Sequence, residues 1–257
     1  MKGKRLDLSF DGYLKAQENN LAQIRRLPVF RELVLPDKEL YEKAVGLVPP
    51  AAPPSFGRVL LLGHKGLLSA AALIARGLPD DAAGVTRRVI EAVRTGRAIK
   101  HDRANLDRWL AFEKRMARWA ARARNARPKG PVRPALTFPQ PHPVLDELAK
   151  HLGMLSDAWI HFTPEFLDQQ SWREDQKGAM VTMRLNYFTE SQAVIERELL
   201  SLGTIHLLCL GVLDECFDSA FSADEGWKQA RLDVHRRGSE FAQLQQERAT
   251  ASHQDQP

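Results

Sequence analysis

Two clusters of proline divide this chain and limit where helices and strands can form. Residues 48 to 54 contain four prolines, and residues 127 to 143 contain six. Proline has no backbone N–H and its ring clashes with the preceding helical turn, so neither segment can lie inside a helix or a central strand. The sequence therefore predicts a stiff, extended linker at the first cluster and a long surface loop at the second.

The segments outside these clusters have a helical composition. Aromatic residues make up only 7% of the chain, and Ala, Leu, Arg, Glu and Gln dominate most of its length. Such residues favour helices over strands. Because the joints between successive helices are short, they favour an antiparallel bundle. Helices are predicted at residues 11 to 46 (in two parts), 55 to 78, 80 to 100, 102 to 125, 145 to 162, 189 to 217 and 223 to 246.

Residues 171 to 188 depart from the helical pattern. Apolar and polar residues alternate from position 179 to position 187, and the preceding residues 175 to 178 have the composition of a turn. This alternation is typical of a short hairpin or an extended flap. The predicted fold class is mainly α, a helical bundle with a short β-hairpin insertion. Its predicted parts are an N-terminal helical arm at residues 1 to 48, a bundle domain at residues 55 to 246 and a disordered tail at residues 247 to 257.

Polar residues interrupt the two most apolar runs of the chain. His64 and Lys65 lie within residues 59 to 75, and His206 lies within residues 199 to 213. Both runs are shorter than the roughly 20 residues that a membrane-spanning helix needs, so they are predicted to be buried helices and no membrane partner is expected. The basic N-terminus lacks the apolar segment of a signal peptide, and a cytoplasmic location is expected.

The two cysteines are predicted to be free thiols in the core. Cys209 and Cys216 are seven residues apart on a predicted helix. This spacing puts them on one face but roughly 10 Å apart along the helix axis, too far for a disulfide between them. Free thiols suit a reducing cytoplasm.

The charge of the chain is concentrated in one segment. Residues 87 to 133 carry fifteen Lys and Arg against four Asp and Glu, a net charge of +11 in a chain whose total is +5. Within this segment, arginines recur along one side of a predicted helix while Trp109 and Phe112 lie on its apolar side, and further arginines continue the charge into the proline-rich loop. The candidate binding residues are Arg87, Arg108, Arg115, Arg118, Arg122, Arg124 and Arg127.

Two interpretations of this basic segment stay open. Such a stripe can make several phosphate contacts with RNA, and the affinity of the protein for RNA then depends strongly on the salt concentration. Alternatively, it is a solvated face, or it docks onto the acidic remainder of the same chain or of a second subunit. A homodimer and a monomer explain the long apolar helices equally well.

Two short stretches resemble a family of uncharacterised bacterial helical proteins. The first is Arg87-Arg88-Val89-Ile90-Glu91-Ala92, and the second is Leu155-Ser156-Asp157-Ala158-Trp159-Ile160-His161. The family pattern is roughly Arg-x-Leu-x-Glu-Ala and later Ser-Asp-x-x-His-Pro, and the family is thought to be related to HEPN helical bundles. In this chain His161 is followed by Phe162-Thr163-Pro164 rather than directly by proline.

The resemblance implies an α-helical bundle with Arg87, Glu91 and His161 in matched positions. Many HEPN proteins are ribonucleases, toxins or defence components that use an arginine and a histidine with four to six residues between them on a helix. Arg94 and His101 fit that spacing and share a helix face. Asp157 and His161, at i and i+4, could form an acid–base pair, although a stabilised helix end is the commoner outcome.

The sequence contains no recognisable metal, nucleotide or hydrolase motif. His206 and Cys209 form a single His-x-x-Cys pair, and no second pair with metal-ligand spacing accompanies it. We therefore expect no metal and no cofactor, and we interpret His206 as a core imidazole bonded to a neighbouring helix. Glycine-rich phosphate loops and Gly-x-Ser-x-Gly elbows are also absent from the sequence.

Three functional hypotheses follow from the sequence. The first is a cytoplasmic, bacterial, HEPN-like helical protein that binds a polyanion such as RNA, or an acidic protein, through its basic face. The second is a metal-independent ribonuclease of toxin or defence type. The third is a non-enzymatic interaction or scaffold protein. Whether the chain is an enzyme stays open at this level.

Overall fold

The computed structural model describes residues 10 to 122, 136, 142 to 159, 171 to 177, 180 to 185, 189 and 191 to 254. These residues contain eight α-helices, and a short π-helical turn, Phe30–Val34, leads directly into the second of them. The helices are α1 (Phe10–Ile24), α2 (Leu35–Leu47), α3 (Pro54–Ala75), α4 (Pro79–His101), α5 (Arg103–Arg122), α6 (Pro143–Trp159), α7 (Gln192–Cys216) and α8 (Glu225–Gln254).

The prediction of a mainly α fold is confirmed. Two short strands, β1 (Ser171–Lys177) and β2 (Met180–Leu185), form an antiparallel pair in which Ser171 lies opposite Leu185 and Lys177 opposite Met180. The buried apolar residues that the structure describes all lie in helices or in the joints between helices. A helical bundle is therefore what holds the described part of the chain together.

Helix α7 forms the centre of the bundle. Fourteen of its 25 residues are buried, and they cover most of the helix circumference, while Ala193, Arg197 and Thr204 are exposed along one side. A helix that is apolar around most of its circumference must be covered by several neighbours. Helices α2, α3, α4, α6 and α8 all pack against it. Its N-terminus is capped by Ser191, whose hydroxyl accepts the Val194 backbone N–H at 3.5 Å.

Helices α3 and α7 are long and apolar enough to cross a membrane, judged by length and composition alone. In α7, 72% of the most apolar window is buried inside the bundle, and in α3 the share is 44%. Core helices of a water-soluble bundle have the same composition, and the coverage of α7 is what such a helix requires. The outer side of α3 exposes Leu61 and Leu68.

The described residues of the predicted N-terminal arm contribute to the core of the bundle. Leu33 and Tyr41 are fully buried, and the Trp227 indole N–H of α8 donates to the Leu40 carbonyl oxygen at 3.0 Å. The proline-rich joint turns back on itself, with the Ala52 N–H donating to the Pro49 carbonyl at 2.9 Å. The prolines end α2 as predicted, but the apolar face of α2 needs cover, and the bundle supplies it.

Helix α8 also differs from its prediction. It continues to Gln254, whereas the sequence predicts a disordered tail from residue 247. Side chains along its last turns bond within the helix: the Gln243 amide donates to Glu247 at 3.0 Å, and the Thr250 hydroxyl donates to the Gln246 carbonyl at 2.9 Å. Such i to i+4 pairs support a polar helix that makes little contact with a core.

Close packing of α3 against α4 depends on glycine. A Cβ built on Gly66 would collide with the Val89 side chain of α4, and a Cβ on Gly63 would lie 2.8 Å from the Tyr41 ring. Contacts this short do not occur between real side chains, so both positions require the absence of a side chain. Helix α3 can therefore approach α4 closely only because of Gly66, and α2 only because of Gly63.

We predict that Gly66→Ala destabilises the protein by about 1–3 kcal/mol, because the added methyl group overpacks the α3–α4 contact. Gly84→Ala on α4 is the matched control, since a Cβ there would meet nothing within 4 Å. The free energy of unfolding of that control should increase by roughly 0.5–1 kcal/mol, because alanine has a higher helix propensity than glycine. Urea unfolding of both variants measures the two free energies.

The double variant Gly66→Ala/Val89→Ala identifies the source of the strain. Removing the Val89 methyl groups makes room for the new Cβ, so the double variant should be more stable than the sum of the single effects allows. Strictly additive effects would show that Gly66 and Val89 do not form the close contact described.

Candidate functional site

A cavity of about 720 Å³ lies between α3, α4, α5 and α6. Cavities that hold small ligands in proteins range from roughly 300 to 1,000 Å³. The wall is mostly apolar, and arginine and glutamate side chains from α3, α4 and α5 are set into it. Its main apolar residues are Phe56, Val59, Leu62, Ile99, Trp109, Phe112 and Leu152.

Two hydrogen bonds fix the helix that closes this cavity. The Asp102 carboxylate accepts the Ala104 backbone N–H at 2.8 Å and so caps the start of α5. The buried Asn105 amide donates to the Ala98 carbonyl of α4 at 3.1 Å. Together they anchor α5 against the end of α4, and the apolar side of α5 then faces the cavity.

Aromatic side chains of α5 form one wall of the cavity. The Trp109 and Phe112 ring centroids are 5.8 Å apart, and the Arg115 guanidinium lies 5.4 Å from the Phe112 centroid. The Trp109 indole nitrogen is buried and has no hydrogen-bond partner among the described residues. A buried N–H without a partner carries a desolvation cost, and an acceptor placed beside it would remove that cost.

Arginines surround the same cavity. Arg58 reaches Glu113 only at 3.5 Å and its side chain is 74% exposed, so this ion pair contributes little. Arg88 is exposed, lines the cavity and makes no ion pair within the described part of the chain. The cavity therefore has an apolar body and a positively charged rim.

Much of the basic segment is neutralised inside the fold. Arg87 pairs with Glu91 of the same helix at 3.1 Å, which is the ordinary i to i+4 ion pair. The end of α4 docks onto the acidic end of α7 and the turn that follows it: Arg97 lies 2.9 Å from Glu215, and Lys100 lies 2.7 Å from Asp218. The docking interpretation of the segment is therefore correct for these α4 residues.

The acidic partners of α4 are held by the α7–α8 turn. Asp218 and Ser219 adopt left-handed backbone conformations, with φ of 58° and 62°. The Asp214 carboxylate stabilises this turn by accepting the Phe221 N–H at 2.9 Å and the Ser222 N–H at 3.2 Å. The His142 Nε2 also lies 3.0 Å from a Glu215 carboxylate oxygen. This contact links the start of α6 to the end of α7.

The exposed side of α5 keeps its positive charge. Lys114 and Arg118, one turn apart, are exposed and make no ion pair with any residue that the structure describes. Arg108 is also exposed and donates to the Asn105 side chain at 3.3 Å. Of the other candidate binding residues, Arg122 belongs to α5 but its side chain is not described, and Arg124 and Arg127 lie outside the described residues.

The structure does not assemble the proposed ribonuclease pair in the cavity. Arg94 lines the cavity, whereas His101 is exposed at the end of α4 and is not part of the wall. Asp157 lies in α6, beyond the wall residue Leu152, but its side chain is not described, and His161 lies outside the described residues. The acid–base hypothesis for Asp157 and His161 stays a prediction.

A second polar cluster, which the sequence analysis missed, lies in the core. Tyr41 Oη and His206 Nδ1 share a buried hydrogen bond at 3.0 Å, which confirms the prediction of a core imidazole bonded to a neighbouring helix. The His64 ring stacks on Tyr41 at 6.0 Å. Asp37 is fully buried one turn before Tyr41, and neither of its oxygens has a hydrogen-bond partner among the described residues.

Burial disfavours the charged forms of Asp37 and His206. It raises the pKa of Asp37 well above its ordinary value and lowers the pKa of His206 to about 3. It also raises the pKa of the buried Cys209 thiol, so no thiolate nucleophile is available there. No group of three His, Cys, Asp or Glu suited to a metal ion occurs in the described ranges. The one signal for this cluster in the sequence is the Asp37 and Tyr41 spacing of four on an otherwise apolar helix face.

Comparisons with known proteins add no identification. No protein-family model, curated protein or solved structure matches the chain. The cavity, the exposed cations of α5 and the buried cluster are thus the features on which a function can be proposed.

We predict that Asp37→Asn changes stability in a pH-dependent way. In the unfolded chain the Asp37 carboxyl ionises near pH 3.8, whereas in the folded protein it keeps its proton to higher pH. The contribution of this group to the free energy of unfolding is therefore fully present below about pH 4 and is lost as the pH rises. The variant lacks this loss, so its stability relative to wild type should increase from pH 5 to pH 8. Urea unfolding at both pH values measures the stability difference between the variant and wild type. A difference that does not change with pH would contradict a raised pKa for Asp37.

His206→Gln should show the opposite dependence. The unfolded imidazole takes up a proton near pH 6.5, but the folded one stays neutral down to about pH 3, so wild type loses stability as pH falls from 6.5. This loss approaches 1.4 kcal/mol per pH unit, and the variant should not show it. Unfolding at pH 7 and pH 4.5 tests this, and parallel losses in both proteins would show that His206 titrates normally.

Proposed function

We propose that this chain is a helical polyanion-binding protein and that single-stranded RNA is its ligand. The observation that carries the proposal is the pair of exposed cations on α5, Lys114 and Arg118, which make no ion pair within the described residues. Cations at the end of α4 are paired with acids of the same chain instead. Unpaired, exposed cations in one row are what a phosphate backbone requires.

The surroundings of this row favour a single strand. Arg108 is also exposed and lies on the same side of α5 as Arg118. Single-stranded RNA binds to proteins through phosphate contacts combined with side chains that meet unstacked bases, and the Arg115 guanidinium stacked near Phe112 is suited to that role.

Several further features belong to this proposal. A relationship to HEPN-like bundles would suit a bacterial RNA-binding protein, and it rests on the short stretches at residues 87 to 92 and 155 to 161. A cytoplasmic location is supported by the two buried, free thiols Cys209 and Cys216. An acidic protein is the alternative partner for the same face, and it is separated from RNA by the experiment below.

We predict that Lys114→Ala/Arg118→Ala weakens binding of a fluorescein-labelled single-stranded RNA and reduces its salt dependence. Each lost phosphate contact lowers the slope of log affinity against log salt by about 0.7 for a single strand, so the two together lower it by about 1.4. Fluorescence anisotropy at 50, 100 and 200 mM salt measures both the affinity and the slope.

Arg25→Ala/Arg26→Ala is the matched control. These two arginines are exposed in the turn at the end of α1, and their removal changes the net charge by the same amount. The control should keep the wild-type slope. Salt-independent binding in wild type, or equal loss in the two double variants, would contradict an RNA site on α5 and would favour the acidic-protein alternative.

A further inference from the structure

We propose that the cavity between α3, α4, α5 and α6 binds a small amphipathic anion, with an apolar aliphatic or aromatic body and one anionic head group. This site is distinct from the exposed cations of α5 and does not depend on RNA binding there. The apolar wall, the charge at the rim and a buried donor each support the proposal.

The size and lining of the cavity select the body of the ligand. Its volume is about 720 Å³, and side chains such as Phe56, Val59, Ile99 and Leu152 form most of its wall. Burial of apolar ligand surface contributes roughly 25 cal/mol per Å². A small and strongly hydrated anion such as phosphate would gain nothing from this wall.

The charged residues select the head group. Glu91 is engaged by Arg87 at 3.1 Å, and Glu113 faces Arg58 at 3.5 Å, so both carboxylates of the wall already have cationic neighbours. Arg88 has no ion pair within the described part of the chain. The rim therefore retains a positive charge, which attracts one carboxylate, sulfonate or phosphate group and disfavours a cationic ligand.

One donor points to an acceptor on the ligand. The Trp109 indole N–H is buried in the wall and has no partner among the described residues. A purely hydrocarbon ligand would leave it without a partner, whereas a carbonyl, ether or anionic oxygen would accept its hydrogen bond. The ligand class is thus an apolar molecule with at least one oxygen acceptor, such as a fatty acid or an aryl carboxylate.

The test uses 8-anilinonaphthalene-1-sulfonate, an aromatic anion that becomes fluorescent in apolar sites. The full-length protein should bind one probe molecule saturably. Dodecanoate and an aryl carboxylate, 2-naphthoate, should displace it and thereby distinguish an aliphatic from an aromatic body. Displacement by AMP without displacement by either carboxylate would overturn the proposal, because it would indicate a nucleotide site.

Two variants assign the probe to this cavity. Ala92→Phe fills the space from α4 and Leu62→Trp fills it from the rim, where Leu62 is 41% exposed and a larger side chain is compatible with folding. Either variant that keeps the wild-type far-UV circular dichroism and cooperative urea unfolding should lower probe affinity at least tenfold. Unchanged affinity in a folded filling variant would overturn the proposal.

Charge variants test the head group and separate this site from the RNA surface. Arg88→Gln should lower the affinity for the probe about tenfold, as expected for loss of one charge-assisted hydrogen bond, while Arg26→Gln should leave that affinity unchanged. Lys114→Ala/Arg118→Ala should leave probe binding unchanged, and Leu62→Trp should leave the salt slope of RNA binding unchanged. Equal weakening by Arg88→Gln and Arg26→Gln would overturn the assigned head-group contact.

Discussion

Burial of most of α7 is the constraint on which the rest of the described structure depends. This helix is apolar around most of its circumference, so it must be covered by several neighbours, and α2, α3, α4, α6 and α8 provide the cover. Its one buried imidazole, His206, is matched by the Tyr41 hydroxyl at 3.0 Å. Because Tyr41 belongs to α2, the same bond ties the N-terminal segment into the core and makes the segment part of the bundle.

The placement of charge follows from this packing. When α4 packs along α7, its basic end meets Glu215 and Asp218, and Arg97 and Lys100 form ion pairs there. Helix α5 follows immediately, but its apolar side faces the cavity, and Lys114 and Arg118 are exposed with no ion pair among the described residues. A charged segment that looks uniform in the sequence thus contains residues that stabilise the fold and two exposed cations that can meet a partner.

The sequence predicts the helical elements well and their assembly less well. Proline positions and the spacing of apolar residues place most helices of the described chain within a few residues, because both signals act locally. The prolines after α2 predict where this helix ends, but they do not say where its apolar face docks, and in the structure that face packs into the bundle. Residues of four helices and Leu136 must come together to form the cavity, and local spacing does not predict which residues meet there.

Three properties of this protein follow from its sequence alone. They are a mainly helical fold class, two thiols too far apart to bond to each other, and a dense run of arginine. Local pattern is enough for these because each depends on neighbours a few residues away. Long-range packing determines which arginines are paired, that Asp37 is buried with no hydrogen-bond partner among the described residues, and that an apolar cavity lies beside Arg88. Those outcomes depend on contacts between residues far apart in the chain, such as Lys100 with Asp218 and Tyr41 with His206.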